Sequence, residues 1–344
     1  MPPLTNLDAR GPHQPVAGTP SRVPGSIRRT SSIDSTRHRP PGDVEGDPWG
    51  QMTMDARGRD LRTGPDGTAS VMRTASVTAE VSGVFRELEA LRAKPERAEL
   101  QQLVGTPVGP GFRAKVDALV PDERDAHSLL YLLLDDLPGA GLVSGYSMLQ
   151  ADAVPKAEPG TERHDEYLIA RSDLCAGWAA DGSMMTMIRE HGKNPTPLGP
   201  EAPAIWASDN VGWHDIEPLA PTAMRRIRRI DVLPTEDGQV HPVDVFFRDS
   251  YANAEGVETV VHEYSVSACI DATERTVASI NATANVLPWQ ECPGAIASAG
   301  RLVGHALADL RPWVRETFTG TTTCTHLNDV LRGLSDVGVL LDSL

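Results

Sequence analysis

Long apolar runs are missing from this chain. No stretch approaches the roughly 18–20 apolar residues needed to cross a bilayer, and the densest short run, Leu129 to Leu134, falls far below that length. Cysteine is scarce too: four in 344 residues are too few for a disulfide scaffold, so each thiol is weighed as packing, metal ligand or reactive group. Basic residues are outnumbered, with 32 Lys and Arg against 47 Asp and Glu and a formal charge of -15. That balance argues against a nucleic-acid partner, because affinity for a phosphate backbone comes largely from counterions released by basic side chains. Met1 to Gly18 lacks the apolar segment of a secretory signal. These absences predict a cytoplasmic protein with neither a membrane nor a nucleic-acid partner. A small-molecule ligand is compatible with them, and oligomeric state is not set by them.

What is abundant is loop chemistry: 28 Pro and 30 Gly, with hydrophobic residues at 40% and aromatics at 5%. From Met1 to about Thr78 the chain mixes Pro, Gly, Arg, Ser, Thr and Asp without a repeating apolar face. Such a segment buries too little surface to offset its ordering entropy, so residues 1–78 are predicted to be a disordered tail. The basic run Arg22 to Arg39 within it reads as a solvated tail rather than a docking patch. Residues 79–344 are then one α+β domain, divided into 79–221 and 222–344.

In the first part, Val84, Leu88 and Leu91 recur at helical spacing until Pro95, and predict a short amphipathic helix. Two apolar runs flanking Pro138-Gly139-Ala140-Gly141 read as a hairpin or buried strand pair, and 151–221 as long loops. From Met224 four β-type runs follow, separated by Glu236-Asp237-Gly238, Ala254-Glu255-Gly256 and Ala272-Thr273; they predict an antiparallel meander. In the third run Val260, His262, Tyr264 and Val266 share one face and Val261, Glu263 and Ser265 the other. After Pro288 the period becomes helical, with a last helix over 325–341 carrying Leu327, Val330, Leu331, Leu334 and Val337 on its apolar side. The fold class is therefore α+β, an antiparallel meander packed against C-terminal helices.

Cys292 follows the fourth strand and Cys324 precedes the last helix, for which Thr325 is a suitable N-cap. A thiol at that helix end has reason to be a thiolate, the form that binds metal or attacks carbon. His326 brings imidazole nitrogen to the same turn. Each cysteine taken alone reads as a packed core thiol, as Cys175 and Cys269 do. Asp135-Asp136 reads as a solvated strand end, and Arg225, Arg226, Arg228 and Arg229 as edge charges or salt links on alternating faces. Trp206, Trp213 and Trp289 either line a pocket or pack, and Gly139 and Gly141 do not make a nucleotide loop.

From Met224 to Leu334 the sequence resembles the bacterial family known as domain of unknown function 2889. The motifs are Arg225-Arg226-Ile227-Arg228-Arg229, Phe247-Arg248-Asp249, His262-Glu263-Tyr264, Cys292-Pro293 and Cys324-Thr325-His326-Leu327. Thr323 stands where many members have Gly. The resemblance implies no activity, and it groups these residues. Three functions compete on them. The first is a metal-dependent enzyme acting on a small organic molecule, with Cys292, Cys324 and His326 holding Zn or Fe and His262, Asp249 and Glu263 in catalytic roles. The second is a cysteine-nucleophile acyl or thioester enzyme on Cys324, with His326 or His262 as base and Asp249 or Glu263 orienting it. The third is a binding or scaffold protein with a structural metal or plain packed core.

Overall fold

The computed structural model describes residues 10–38, 49–83, 86–154, 158–192 and 194–344. Eight strands form one antiparallel sheet: β1 (Ile27–Arg37), β2 (Gln51–Thr63), β3 (Ala69–Ser82), β4 (Glu87–Lys94), β5 (Met224–Val232), β6 (Val240–Ala252), β7 (Glu258–Asp271) and β8 (Thr276–Val286), in the order β4-β3-β2-β1-β5-β6-β7-β8. Between β4 and β5 run a 3-10 turn (Ala98–Leu103) and six helices: α1 (Phe112–Leu119), α2 (Pro121–Asp125), α3 (Leu129–Val143), α4 (Gly145–Gln150), α5 (Glu162–Arg171) and α6 (Ser183–His191). After β8 come a 3-10 segment (Cys292–Leu302), α7 (Leu307–Thr317), α8 (Thr325–Gly333) and α9 (Val337–Leu341). No helix among the described residues is long and apolar enough to cross a membrane. The α+β class and the meander over 224–286 are as the sequence predicts.

The N-terminal region is not a tail. Within 1–78, the described residues hold β1, β2 and most of β3; Met1–Ala9 and 39–48 lie outside the description. These strands hide from a hydrophobicity reading because buried positions on them are polar or charged: Arg28, Arg29, Ser31, Ser32 and Asp60 are all buried beside Ile27 and Ile33. The helix expected from Val81 to Pro95 is instead the end of β3 and β4, with Leu88 and Leu91 buried; Val84 lies outside the described residues. The hairpin expected around Pro138 is α3, capped by Ser128, whose hydroxyl accepts from the Tyr131 amide. Apolar on every side, α3 is a fully buried helix, which periodicity alone cannot tell from buried strands.

The chain is built twice over. Each half is a four-stranded meander followed by a 3-10 turn and then helices. Ile27-Arg28-Arg29-Thr30-Ser31-Ser32-Ile33-Asp34 on β1 matches Met224-Arg225-Arg226-Ile227-Arg228-Arg229-Ile230-Asp231 on β5, and Arg59-Asp60 on β2 matches Arg248-Asp249 on β6. The two first strands pair with each other so that Arg28 faces Asp231 and Arg225 faces Asp34, and both pairs close as ion pairs, at 2.6 and 2.7 Å. This reciprocity is what a two-fold relation between the repeats requires. The correspondence extends to the bulges: the register slips next to Asp60 against β3 and next to Asp249 against β7.

Each repeat has its own apolar cluster, one around Met54, Val77, Phe112 and α3, the other around Phe247, Tyr264, Val266 and α8. Between them, under α3 and α8, lies a seam of buried charge. Arg29 binds Asp60 and Asp336, Arg226 binds Asp249 and Asp329, Arg228 binds Asp136, and Arg311 binds Asp135 and Asp336. Asp135 and Asp136 are thus buried ion-pair partners, not a solvated strand end. Gly139 on α3 is where Arg226 and Asp329 meet: a Cβ there would stand 2.2 Å from Arg226 Nη1 and 2.5 Å from Asp329 Oδ2. The opposite face of the sheet is covered by loop residues Ile205, Trp206, Trp213 and Ile216 packed on Ile227 and Phe246, while Trp289 joins the second core. All three tryptophans therefore pack.

Candidate acid-base site beside an arginine-lined cleft

The second repeat's copy of the bulge aspartate carries the most chemistry. Asp249 is fully buried on β6, and both its oxygens receive the Arg226 guanidinium, at 2.8 Å to Oδ1 and 3.1 Å to Oδ2. His326, on the first turn of α8, contacts Oδ2 through Nδ1 at 2.9 Å. His262, opposite Asp249 on β7, lies with Nδ1 3.6 Å from the same oxygen, too far for a hydrogen bond. The two imidazoles stack, with centroids 3.6 Å apart and planes 19° from parallel.

Burial alone would push the Asp249 carboxyl up, but the Arg226 charge and the two imidazoles hold it well below the usual carboxylate range. An ionised Asp249 accepts only, so His326 donates to it through Nδ1–H, which in the neutral ring leaves the lone pair on Nε2. Nε2 has no partner among the described residues, and His326 lines a cleft of about 580 Å³. Burial, reinforced by the neighbouring His326 and Arg226, lowers His262 to about 4 against the attraction of Asp249. His262 is therefore neutral near pH 7.

The same cleft is walled by α1, α3, α7 and α8, and by Arg86 ahead of β4. Arg113, Arg315 and Arg332 crowd around Asp135, Arg113 at 3.1 Å and Arg332 at 3.3 Å, with Arg315 ion-paired to it as well. Arg332 Nη2, Arg315 Nε and Asn328 Oδ1 are buried without a hydrogen-bond partner. Arg86 donates to the Val108 and Gly141 carbonyls and has no carboxylate partner among the described residues.

Of the residues singled out in the sequence, His262, Asp249 and His326 are brought together, and they are the one group among the described residues whose N and O atoms lie within 4.8 Å of one another in a metal-like arrangement. Glu263 is not with them. It points to the opposite face, where it pairs with Arg248 at 2.5 Å and accepts from the Val16 amide. Cys292 and Cys324 lie in the apolar core, and with the buried Cys175 they are close enough to the Tyr264 phenol to raise it further beyond the effect of burial. Tyr264 donates to Cys324 Sγ at 3.2 Å. Cys324 itself, not Thr325, is the N-cap of α8, and burial pushes its thiol up rather than down, as it does for Cys292 and, to about 12, for Cys175. The thiolate expected at this helix end is thus corrected: desolvation outweighs the helix dipole. The imidazole of His326, two residues on, leaves the sulfurs for Asp249 on the sheet.

Sequence reasoning missed the arginines of the cleft. Arg113, Arg315 and Arg332 sit at unremarkable helical positions, and only the placement of α1, α7 and α8 around Asp135 gathers them.

Residues 224–339 match the family described as a protein of unknown function, DUF2889. The match spans the second repeat and contains Arg226, Asp249, His262 and His326, so the resemblance seen in the motifs is shown. The chain matches no curated protein and no solved structure.

Proposed function

We propose that the second repeat holds an enzyme active site in which Asp249 and His326 move a proton to and from a small molecule in the adjoining cleft. The observation that carries this reading is the 2.9 Å contact between Asp249 and His326 Nδ1, made while Nε2 is unpartnered on the cleft wall. An ionised carboxylate that fixes the tautomer and leaves Nε2 facing the reactant is the arrangement general acid-base catalysis requires. Arg226 orients the carboxylate, and the neutral His262 stacks on the imidazole and shields it from water.

Nitrogen-15 NMR of histidine-labelled protein tests the reading directly. His326 is expected as the Nδ1–H tautomer. Asp249→Asn is expected to shift it toward Nε2–H and to cut any turnover found in a substrate screen by about 10²–10⁴-fold, the usual size of a general acid-base contribution. A wild-type His326 that is Nε2–H sinks the proposal.

A second reading follows from the convergence of Asp249, His262 and His326: a metal-dependent enzyme using Zn or Fe on two imidazoles and a carboxylate. Its weak point is electrostatic. Both Asp249 oxygens already face a guanidinium, which would repel a second cation. Element analysis finding one metal per chain, lost in both His262→Ala and His326→Ala, would favour this reading over proton transfer. Cys324 as a nucleophile gains no support, because a buried thiol with a raised pKa is a poor one.

A further inference from the structure

We infer that the cleft beside His326 takes a small organic anion, whose carboxylate or phosphoryl oxygens are held by Arg86 and Arg113. The inference rests on the reading of His326 as the reacting base and names the class of molecule it would act on. Three observations converge on it. Arg86 lies along α3 with its Cδ 3.3 Å from where a Gly141 Cβ would stand, and its hydrogen bonds go only to neutral carbonyls. Arg86 is half-buried on the cleft wall, and a guanidinium partly withdrawn from water gains from an anion that completes it. Arg113, a quarter exposed on the same wall, shares its acids with other cations: Asp135 is also claimed by Arg311, Arg315 and Arg332, and Asp329 by Arg226 and Arg332. The third is that Arg332 Nη2 and Arg315 Nε, both donors around this one cleft, are buried without partners. Guanidinium forks match carboxylate and phosphate geometry, so the class follows from the donors. At about 580 Å³ the cleft holds an organic body as well as the anionic head, which distinguishes its occupant from a bare inorganic ion.

Calorimetric titration of the full chain with inorganic phosphate, and separately with citrate, at ionic strength matched with chloride tests this. Saturable binding of at least one probe is expected, weakened tenfold or more in Arg86→Gln. Because Arg86 has no ion-pair partner among the described residues, that substitution leaves the buried charge seam intact, and an unchanged melting temperature without probe confirms it. Arg86→Lys should recover part of the affinity, and His326→Gln should keep binding within a few-fold of wild type. No saturable binding of either probe, or equal affinity in Arg86→Gln, overturns the inference, and it does so without touching the tautomer result that judges the acid-base reading. Intact binding with a wild-type Nε2–H tautomer would sink that reading and leave the anion site standing.

Discussion

The two repeats place an aspartate at the same bulge, beneath the same arginine, and surround it differently. In the first repeat Asp60 is paired with Arg29 at 2.7 Å and with Arg73, its neighbour on β3, at 3.2 Å. In the second repeat the neighbour on β7 is His262, and α8 adds His326. One position thus serves as a closed ion pair in one half and as a carboxylate shared with two titratable rings in the other. The scaffold decides that an acid is buried there; the residue opposite decides whether its charge meets an arginine or an imidazole.

The comparison can be broken most severely at the arginines. Arg226→Met leaves Asp249 buried with imidazoles alone, and is expected to cost about 3–5 kcal/mol in urea unfolding, the usual penalty for orphaning a buried charge. Arg29→Met should cost less, because Asp60 keeps Arg73 and Asp336 keeps Arg311. Equal losses from both variants would show that the second cations are ineffective.

A smaller difference lies in the pH dependence. His262 is held at about 4 in the folded chain against an ordinary value of 6.5, so above 6.5 it is neutral in both states and has no effect on the slope. As pH falls from 6.5 toward 4 the unfolded chain takes up a proton that the folded chain refuses, and stability is lost. Below 4 the loss levels off. The slope from one such proton is at most about 1.4 kcal/mol per pH unit. His214, lowered to about 3 by burial and nearby arginines, adds to the same window, so the expected signal is the difference between wild type and His262→Gln. Parallel stability curves for the two proteins between pH 4 and 6.5 would remove His262 from the account.

The gentlest test swaps the distinguishing residue. Arg73→His gives the first repeat the second's strand pair, and because Arg73 is 41% exposed the lost ion pair should cost no more than about 1 kcal/mol. The first repeat has no second imidazole on its aspartate, so no stacked pair is expected by histidine NMR.

Much of the second repeat was legible because two of its three turns carry Gly and because His262 and Val266 share a face of β7 by simple parity. The first repeat was not, although it contains the same motif. Ile-Arg-Arg and Met-Arg-Arg open both meanders, but β1 fills its remaining positions with Ser and Thr, whose burial depends on partners elsewhere, such as the His214 ring over Thr30 and Ser32. Polar burial leaves no hydrophobic period to read. The candidate site was half visible for a related reason. His326 and Asp249 stood out as residue types, while their partner Arg226 was read as an edge charge and the cysteines were credited with polarity that burial denies them.

The pairing of β1 with β5 also governs the order of assembly. Residues of β1 pair with β2, the next strand in the chain, but Ile27 waits for Val232 on its other side. During synthesis that flank stays open until the second meander begins to emerge, a long-range closure of the kind that makes folding slow. Charged side chains along the waiting flank, Arg28 and Asp34 among them, disfavour pairing with the wrong strand of another nascent chain. The complementary charges on Asp231 and Arg225 then favour the correct partner in the correct register.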